Sequence, residues 1–407
     1  MKMTVNIIII GGGFGGMEAA FTLRSLLSDT ARITLIDRSP FHSFIPSLPE
    51  VSSGKVTARD IRIPFETVLS PAGIIFKQDS VLEIDPIRRH VVIGDGVLGY
   101  DYLVLAAGAR NNFLNVPGAE EYSYCFRSPE DAMRIHAELN HILSEHQRAI
   151  RLVLAGGGTE GIEMAGEILD LIHDNGYADD LTAGRINVTI VERETRILPG
   201  FLRETSEFAG DYLRKRGVKF ITGQTIKTVQ ETALMLGSDV ELPFTLLIWT
   251  GGIKPSRLIE NLPLPREKSG WLIVTDQLNS PADDRIFGIG DAVSIHGDRG
   301  PLALPRLACH AQDQAVIAGL NITYHASGRE LLSYQPRTRP QMISIGKEMG
   351  IYSRENAFST GAWVVVLKKA VERNYLMSCL SRALLLKMPF RIPGVDFFKR
   401  MKLRLPF

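Results

Sequence analysis

Twice in this chain the pattern G-x-G-x-x-G falls between an apolar run and a segment with helical spacing. In VNIIIIGGGFGGMEAAFTLRSLL, Gly11, Gly13 and Gly16 close a strand and open a helix. The first glycine permits a tight turn, the second lets backbone approach a pyrophosphate, and the third lets helix pack on strand. The next strand, ARITLID, ends at Asp37, 21 residues beyond Gly16, where a carboxylate can bind ribose hydroxyls. The pattern returns in RLVLAGGGTEGIEMAGEILDLI with Gly156, Gly158 and Gly161, and the strand INVTIVE ends in Glu192. That second spacing is 31 residues, and the polar stretch DNGYADDLTAG accounts for the excess as an inserted loop. An acid at this strand end favours the free 2′-hydroxyl of NADH over the 2′-phosphate of NADPH, a preference weakened by Arg193 next to it. Two fingerprints imply two dinucleotides, and the economical pairing is a tightly held FAD with an exchangeable nicotinamide.

Further strand ends fall in step with the fingerprints. YDYLVLAAGA runs into a small-residue turn at Ala107 and Gly108, and FTLLIWTGGIKPS repeats that form at Gly251. DDRIFGIGDAV places Asp291 where a carboxylate could meet a flavin ribityl or phosphate group. SPEDAMRIHAELNHILSEH reads as a bridging helix, with Ser128 as N-cap and Pro129 in the first turn. The expected fold class is α/β, with two Rossmann-like dinucleotide-binding domains plus a C-terminal membrane-associating segment. Residues 1–112 and 282–340 are expected to form a discontinuous FAD domain, 113–281 the nicotinamide domain, and 341–407 a third unit that opens with the strand-like QMISIGKEMGIY.

Composition narrows the partners. At 407 residues the chain exceeds the roughly 250–300 at which a single core stops growing. A net charge of +1 speaks against nucleic acid, but it hides an asymmetry: from Lys368 onward there are ten Lys/Arg against two Asp/Glu. Cys125, Cys309 and Cys379 form no CxxC and no metal-ligand spacing, so neither a disulfide framework nor a metal site is expected. No run reaches the roughly 18 apolar residues of a membrane span, and VNIIII is too short and too soon followed by glycines for a signal peptide. In LMSCLSRALLLKM, Leu376, Leu380, Ala383 and Leu384 share one helical face before Pro389. Beyond Pro393, Val395, Phe398, Met401 and Leu405 form a second apolar stripe flanked by Lys399, Arg400, Lys402 and Arg404. Such segments lie in the plane of an anionic lipid surface. The alternative is that the leucines cap the protein's own core or a homodimer contact.

In this order the motifs IIGGGFGG, FHSFIPSLPEVSSG, LVLAAGA, GGGTEGIEMAGE, VERETRILPGF, IFGIGDAV and GAWVVVLKKA resemble the two-dinucleotide-binding-domain flavoproteins. In detail the chain is similar to the type II NADH:quinone oxidoreductases. That resemblance implies an FAD enzyme that oxidises NADH without pumping protons and reduces a membrane quinone, peripherally, at the cytoplasmic face of the cell membrane. It assigns Gly11, Gly13, Gly16, Asp37 and Asp291 to FAD and Gly156, Gly158, Gly161 and Glu192 to NADH. Glu163 would lie near the flavin–nicotinamide contact; the other reading is a solvated carboxylate favoured by the helix dipole. The family's quinone-lining helix start departs here to ACHAQDQA: Ala308, Ala311 and Gln314 match, while Cys309 and Asp313 stand in place of glutamines. His310 and Gln312 lie in that segment and are the candidates near the quinone, with His310 equally readable as a core histidine and Cys309 as a packed thiol. Disulfide reductases need a CxxxxC pair that is missing here. Sulfide:quinone oxidoreductases, soluble NADH-dependent reductases and a non-catalytic FAD-binding scaffold are the remaining alternatives.

Overall fold

The computed structural model describes residues 5–145, 149–297, 300–302 and 304–387. Strand Val5–Ile10 sits inside a six-stranded sheet, flanked by Ala31–Asp37 and Tyr102–Leu105, with Ile75–Gln78 and Asp283–Gly288 beyond them. These five strands are parallel, and Asn279–Ser280 closes one edge antiparallel. Parallel strands covered on both faces read as unbroken apolar runs, which is why VNIIII lacks alternation. Ile7, Ile8, Ile9 and Ile10 are at most 4% exposed, and each such burial is worth about 1.5–3 kcal/mol.

The second sheet repeats this logic. Ile150–Ala155 lies between Ile186–Glu192 and Leu246–Trp249, with Val218–Thr222 and Tyr124–Cys125 outermost, all parallel. In both sheets the fingerprint strand has the acid-ended strand on one side and a strand ending in small residues on the other. Strand order reverses there, and ligands of open α/β sheets bind outside the carboxyl ends at such a switch point. The bridging helix Pro129–Ser144 starts as expected, with a capping box: Asp131 N donates to Ser128 Oγ at 3.1 Å and Ser128 N to Asp131 Oδ2 at 2.9 Å.

Two expectations need correction. The chain returns to the first domain well before residue 282, at Ile253–Pro255, which pairs antiparallel with Ala109–Asn111. Ile259, Leu262, Leu264, Leu272 and Val274 then join the first core, and Leu272–Thr275 pairs with Val293–Gly297. No change in composition marks this crossing, because both cores are built from the same aliphatic residues. The segment from residue 341 has no core of its own among the described residues. Strands Gln341–Ser344, Gly350–Arg354 and Ala357–Thr360 form an antiparallel sheet whose Ile343, Ile345 and Ile351 join the second core.

The C-terminal helix Ala362–Lys387 packs against both cores through Tyr375 and Leu376, and buries Cys379 and Ala383 in the first. The expected lipid face is therefore split: Leu376 and Ala383 face protein, whereas Leu380 and Leu384 are exposed together with Met377. The second stripe, from Val395 to Leu405, lies outside the described residues. No helix among the described residues is long and apolar enough to cross a membrane.

Candidate functional site: two matched dinucleotide cradles

At the first fingerprint, Gly11 N donates to Ile36 O at 2.9 Å, which turns the chain away from the sheet. The Asp37 carboxylate then accepts from Gly12 N at 2.6 Å and from Ser39 N at 2.8 Å. Burial pushes its pKa up against the lowering effect of these amides. A Cβ on Gly16 would collide with the Gly11 carbonyl, so helix Phe14–Leu27 can begin this close to the strand only with glycine. A Cβ on Gly13 would meet nothing within 4 Å. That open position at a helix N-terminus, beside Ala107 and Gly108 at the end of Tyr102–Leu105, is shaped for a pyrophosphate.

The second fingerprint reproduces each element. Gly156 N donates to Val191 O at 2.9 Å, and Glu192 accepts from Gly157 N at 2.7 Å and from Glu194 N at 2.8 Å. A Cβ on Gly161 would collide with Gly156 O, and one on Gly158 would meet nothing within 4 Å. Thr250 Oγ1 donates to the carbonyls of Ala155 and Gly156, both at 3.1 Å, and puts Gly251 at the corresponding strand end. Arg193 reaches Glu194, at 3.1 Å, so its pairing leaves Glu192 to the glycine turn.

Asp291 follows strand Asp283–Gly288 and belongs to the first cradle. Its Oδ2 accepts from Arg127 Nη2 at 3.0 Å, and Arg127 Nη1 lies 3.6 Å from Glu160 at the start of the second fingerprint helix. Arg306 supports the same turn by donating to Asp291 O at 3.0 Å and Val293 O at 3.2 Å, its guanidinium 3.5 Å from the centre of the Trp271 ring. Gln314 fixes the turn from helix Ala308–Ala326 by accepting from Gly290 N at 2.7 Å. These tertiary partners, Arg127 and Arg306 above all, carry no motif signal.

His310 is buried, with Nδ1 3.2 Å from Tyr334 Oη. Burial pushes its pKa down and that of Tyr334 up to about 12, so a neutral ring faces a protonated phenol. It lines a cleft with Asp291, Ser294, Arg306 and Gln314, while Gln312, half-buried and two residues along the helix from His310, is not part of that lining. Glu163 is not a solvated carboxylate. It is 8% exposed, accepts from Ser344 N at 3.0 Å, and pairs with Lys368 Nζ, 205 residues on. The three cysteines are free, on separate elements, and burial pushes each thiol pKa up.

Residues 5–315 match the pyridine nucleotide-disulphide oxidoreductase family. The chain belongs to that family. Demethylphylloquinone reductase NdbB of Synechocystis sp. is 30% identical over 363 residues, 86% of each protein. A type II NADH:quinone oxidoreductase of Staphylococcus haemolyticus is 27% identical over 385 residues, 90% of this chain and 94% of the relative. Among solved structures, NDH2 from Plasmodium falciparum in complex with NADH superposes with a TM-score of 0.83 over 94% of this chain and 97% of that one. At 17% identity that last likeness concerns the fold. This member of the pyridine nucleotide-disulphide oxidoreductases has three cysteines and no CxxxxC pair.

Proposed function

We propose that the protein is an FAD-dependent oxidoreductase that passes electrons from NADH to a membrane quinone without pumping protons. The observation that carries this reading is the duplicated cradle, in which Asp37 and Glu192 each hold the peptide N–H of a glycine turn beside an open helix N-terminus. The quinone is supported by the relatives just described. When bound, the two dinucleotides supply the chemistry, hydride transfer from nicotinamide to flavin and then two-electron, two-proton reduction of the quinone.

The chain's own residues bind, orient and exclude water. Gly11, Gly13, Gly16, Asp37, Ala107, Gly108 and Asp291 would hold FAD, and Gly156, Gly158, Gly161, Glu192 and Gly251 would hold NADH. Glu163, on the fingerprint helix of the nicotinamide domain, pairs with Lys368 and is suited to orient the exchangeable dinucleotide. Tyr334 and His310 provide a hydroxyl and a neutral imidazole for proton delivery at the start of helix Ala308–Ala326, with Gln312 as a neighbouring amide.

The quinone's confinement to a bilayer gives the C-terminal helix its purpose. Trp363, Val366, Met377, Leu380 and Leu384 follow one another at intervals of 3, 11, 3 and 4 residues, each near a whole number of helical turns, and are exposed, on a chain end rich in Lys and Arg. That stripe suits peripheral docking on an anionic, cytoplasmic membrane face. Anaerobic stopped-flow absorbance tests the reading: NADH should bleach the bound flavin faster than NADPH does. Bleaching by sulfide and not by NADH would overturn it in favour of a sulfide:quinone oxidoreductase.

A further inference from the structure

The C-terminal helix is built onto the first fingerprint itself. Tyr375 Oη lies 2.9 Å from His42 Nε2, and His42 Nδ1 lies 2.8 Å from the carbonyl oxygen of Gly12, inside the GGG turn. A carbonyl only accepts, so Nδ1 carries the proton and Nε2 accepts from the Tyr375 hydroxyl. The neutral ring this requires agrees with burial, which pushes the His42 pKa down to about 4. The Gly12 peptide is thus held at both ends, its N–H by Asp37 and its C=O by His42.

Two more contacts join the same parts. Phe14, the residue after the second motif glycine, packs its ring 5.0 Å from Tyr375 and 5.3 Å from His42. Two turns on, Arg382 donates to both oxygens of buried Glu18 at 2.6 and 3.1 Å, with its guanidinium 4.9 Å from the centre of the Phe21 ring. Glu18 and Phe21 belong to the helix that the fingerprint opens. Gly12, Phe14, Glu18 and Phe21 lie in the turn and helix that must hold one conformation for a pyrophosphate to seat at Gly13.

We propose that His42 and Tyr375 are positioning residues that couple FAD binding to the seating of the C-terminal helix, each event stabilising the other through the Gly12 peptide. This rests on the assignment of FAD to the first fingerprint. Linkage makes the coupling reciprocal: if a seated helix tightens flavin binding, bound flavin must stabilise the seated helix by the same factor. The inference gives the helix a role toward the cofactor that is separate from any role toward lipid.

Tyr375→Phe removes one hydroxyl and keeps the ring between Phe14 and Phe44. Flavin release from the holoenzyme, followed by fluorescence, should become about tenfold faster, as expected for an orphaned buried acceptor. Hydrogen exchange over residues 371–387 should be slower with FAD than in apoprotein that regains flavin on re-addition, and Tyr375→Phe should shrink that difference. A side chain that merely stabilised the fold would speed exchange equally in both forms. His42→Asn keeps a donor near Gly12 O but loses the Tyr375 link, so the double variant should release flavin no faster than the faster single variant. If Tyr375→Phe does not fold, Glu18→Gln should show the same faster release and smaller FAD-dependent protection. Release within twofold of wild type, or exchange over 371–387 indifferent to FAD, overturns the coupling. Flavin that survives Gly16→Ala overturns the underlying assignment instead.

Discussion

At the scale of single residues, the two cradles make opposite predictions for equivalent substitutions. Gly16→Ala and Gly161→Ala each drive a Cβ into the carbonyl of the first glycine of their own motif. Gly16→Ala should yield protein that purifies with little or no flavin. Gly161→Ala should keep its flavin, read by absorbance, and lose at least about a hundredfold in the rate of bleaching by NADH, as expected when about 3 kcal/mol of binding and alignment is lost. His42 carries a pH signature. Its folded pKa is pushed down to about 4 from an ordinary 6.5, so between those values the unfolded chain binds the extra proton. Stability should be full above about pH 6.5 and fall by up to roughly 3 kcal/mol as pH drops toward 4. Thermal melts of the holoenzyme from pH 7.5 to 5 should show that fall, and His42→Asn should flatten it.

At the scale of elements, Glu163 shows how far a motif can be read. GGGTEGIEMAGE identifies a strand, a turn and a helix, because glycine spacing and apolar periodicity are local properties. Whether Glu163 faces water or an ammonium depends on where Lys368 arrives, and nothing in the local pattern decides that. Glu163→Gln keeps the shape and an acceptor for Ser344 N, but leaves Lys368 without its buried counter-charge. The expected cost is about 3 kcal/mol by denaturant unfolding, with altered flavin–nicotinamide charge-transfer absorbance and retained FAD. Unchanged spectra and stability would leave Glu163 without a part in the flavin–nicotinamide contact or in holding Lys368. The C-terminal helix teaches the same point. Leu376, Leu380, Ala383 and Leu384 do share a helical side, yet the structure divides them between core and solvent. A helical wheel gives the direction of an apolar face and not the width of what covers it.

At the scale of the whole molecule, the exposed stripe on the C-terminal helix sets the relation to a membrane. Replacing Met377, Leu380 and Leu384 together by serine should release the protein from anionic vesicles in co-sedimentation and depress turnover with a long-chain quinone. Turnover with a soluble acceptor should stay within about twofold, because these side chains lie outside both cores. Cutting the chain after Tyr375 would be a poorer test, since it also removes Arg382 from buried Glu18 and Cys379 from the first core. An unchanged partition onto vesicles, or loss of a dimer in sedimentation velocity, would assign the stripe to protein contact. The two Rossmann-type units and the acids that end their second strands, Asp37 and Glu192, were legible in the sequence, because a glycine turn, its strand and its helix are encoded locally. The crossing at Ile253–Pro255, the links from Arg127 to Asp291 and from Lys368 to Glu163, and the clamp of Tyr375 on His42 were decided only by tertiary structure. Those contacts join segments more than a hundred residues apart, and their partners are chosen by the packing of whole cores, which no local pattern of residues contains.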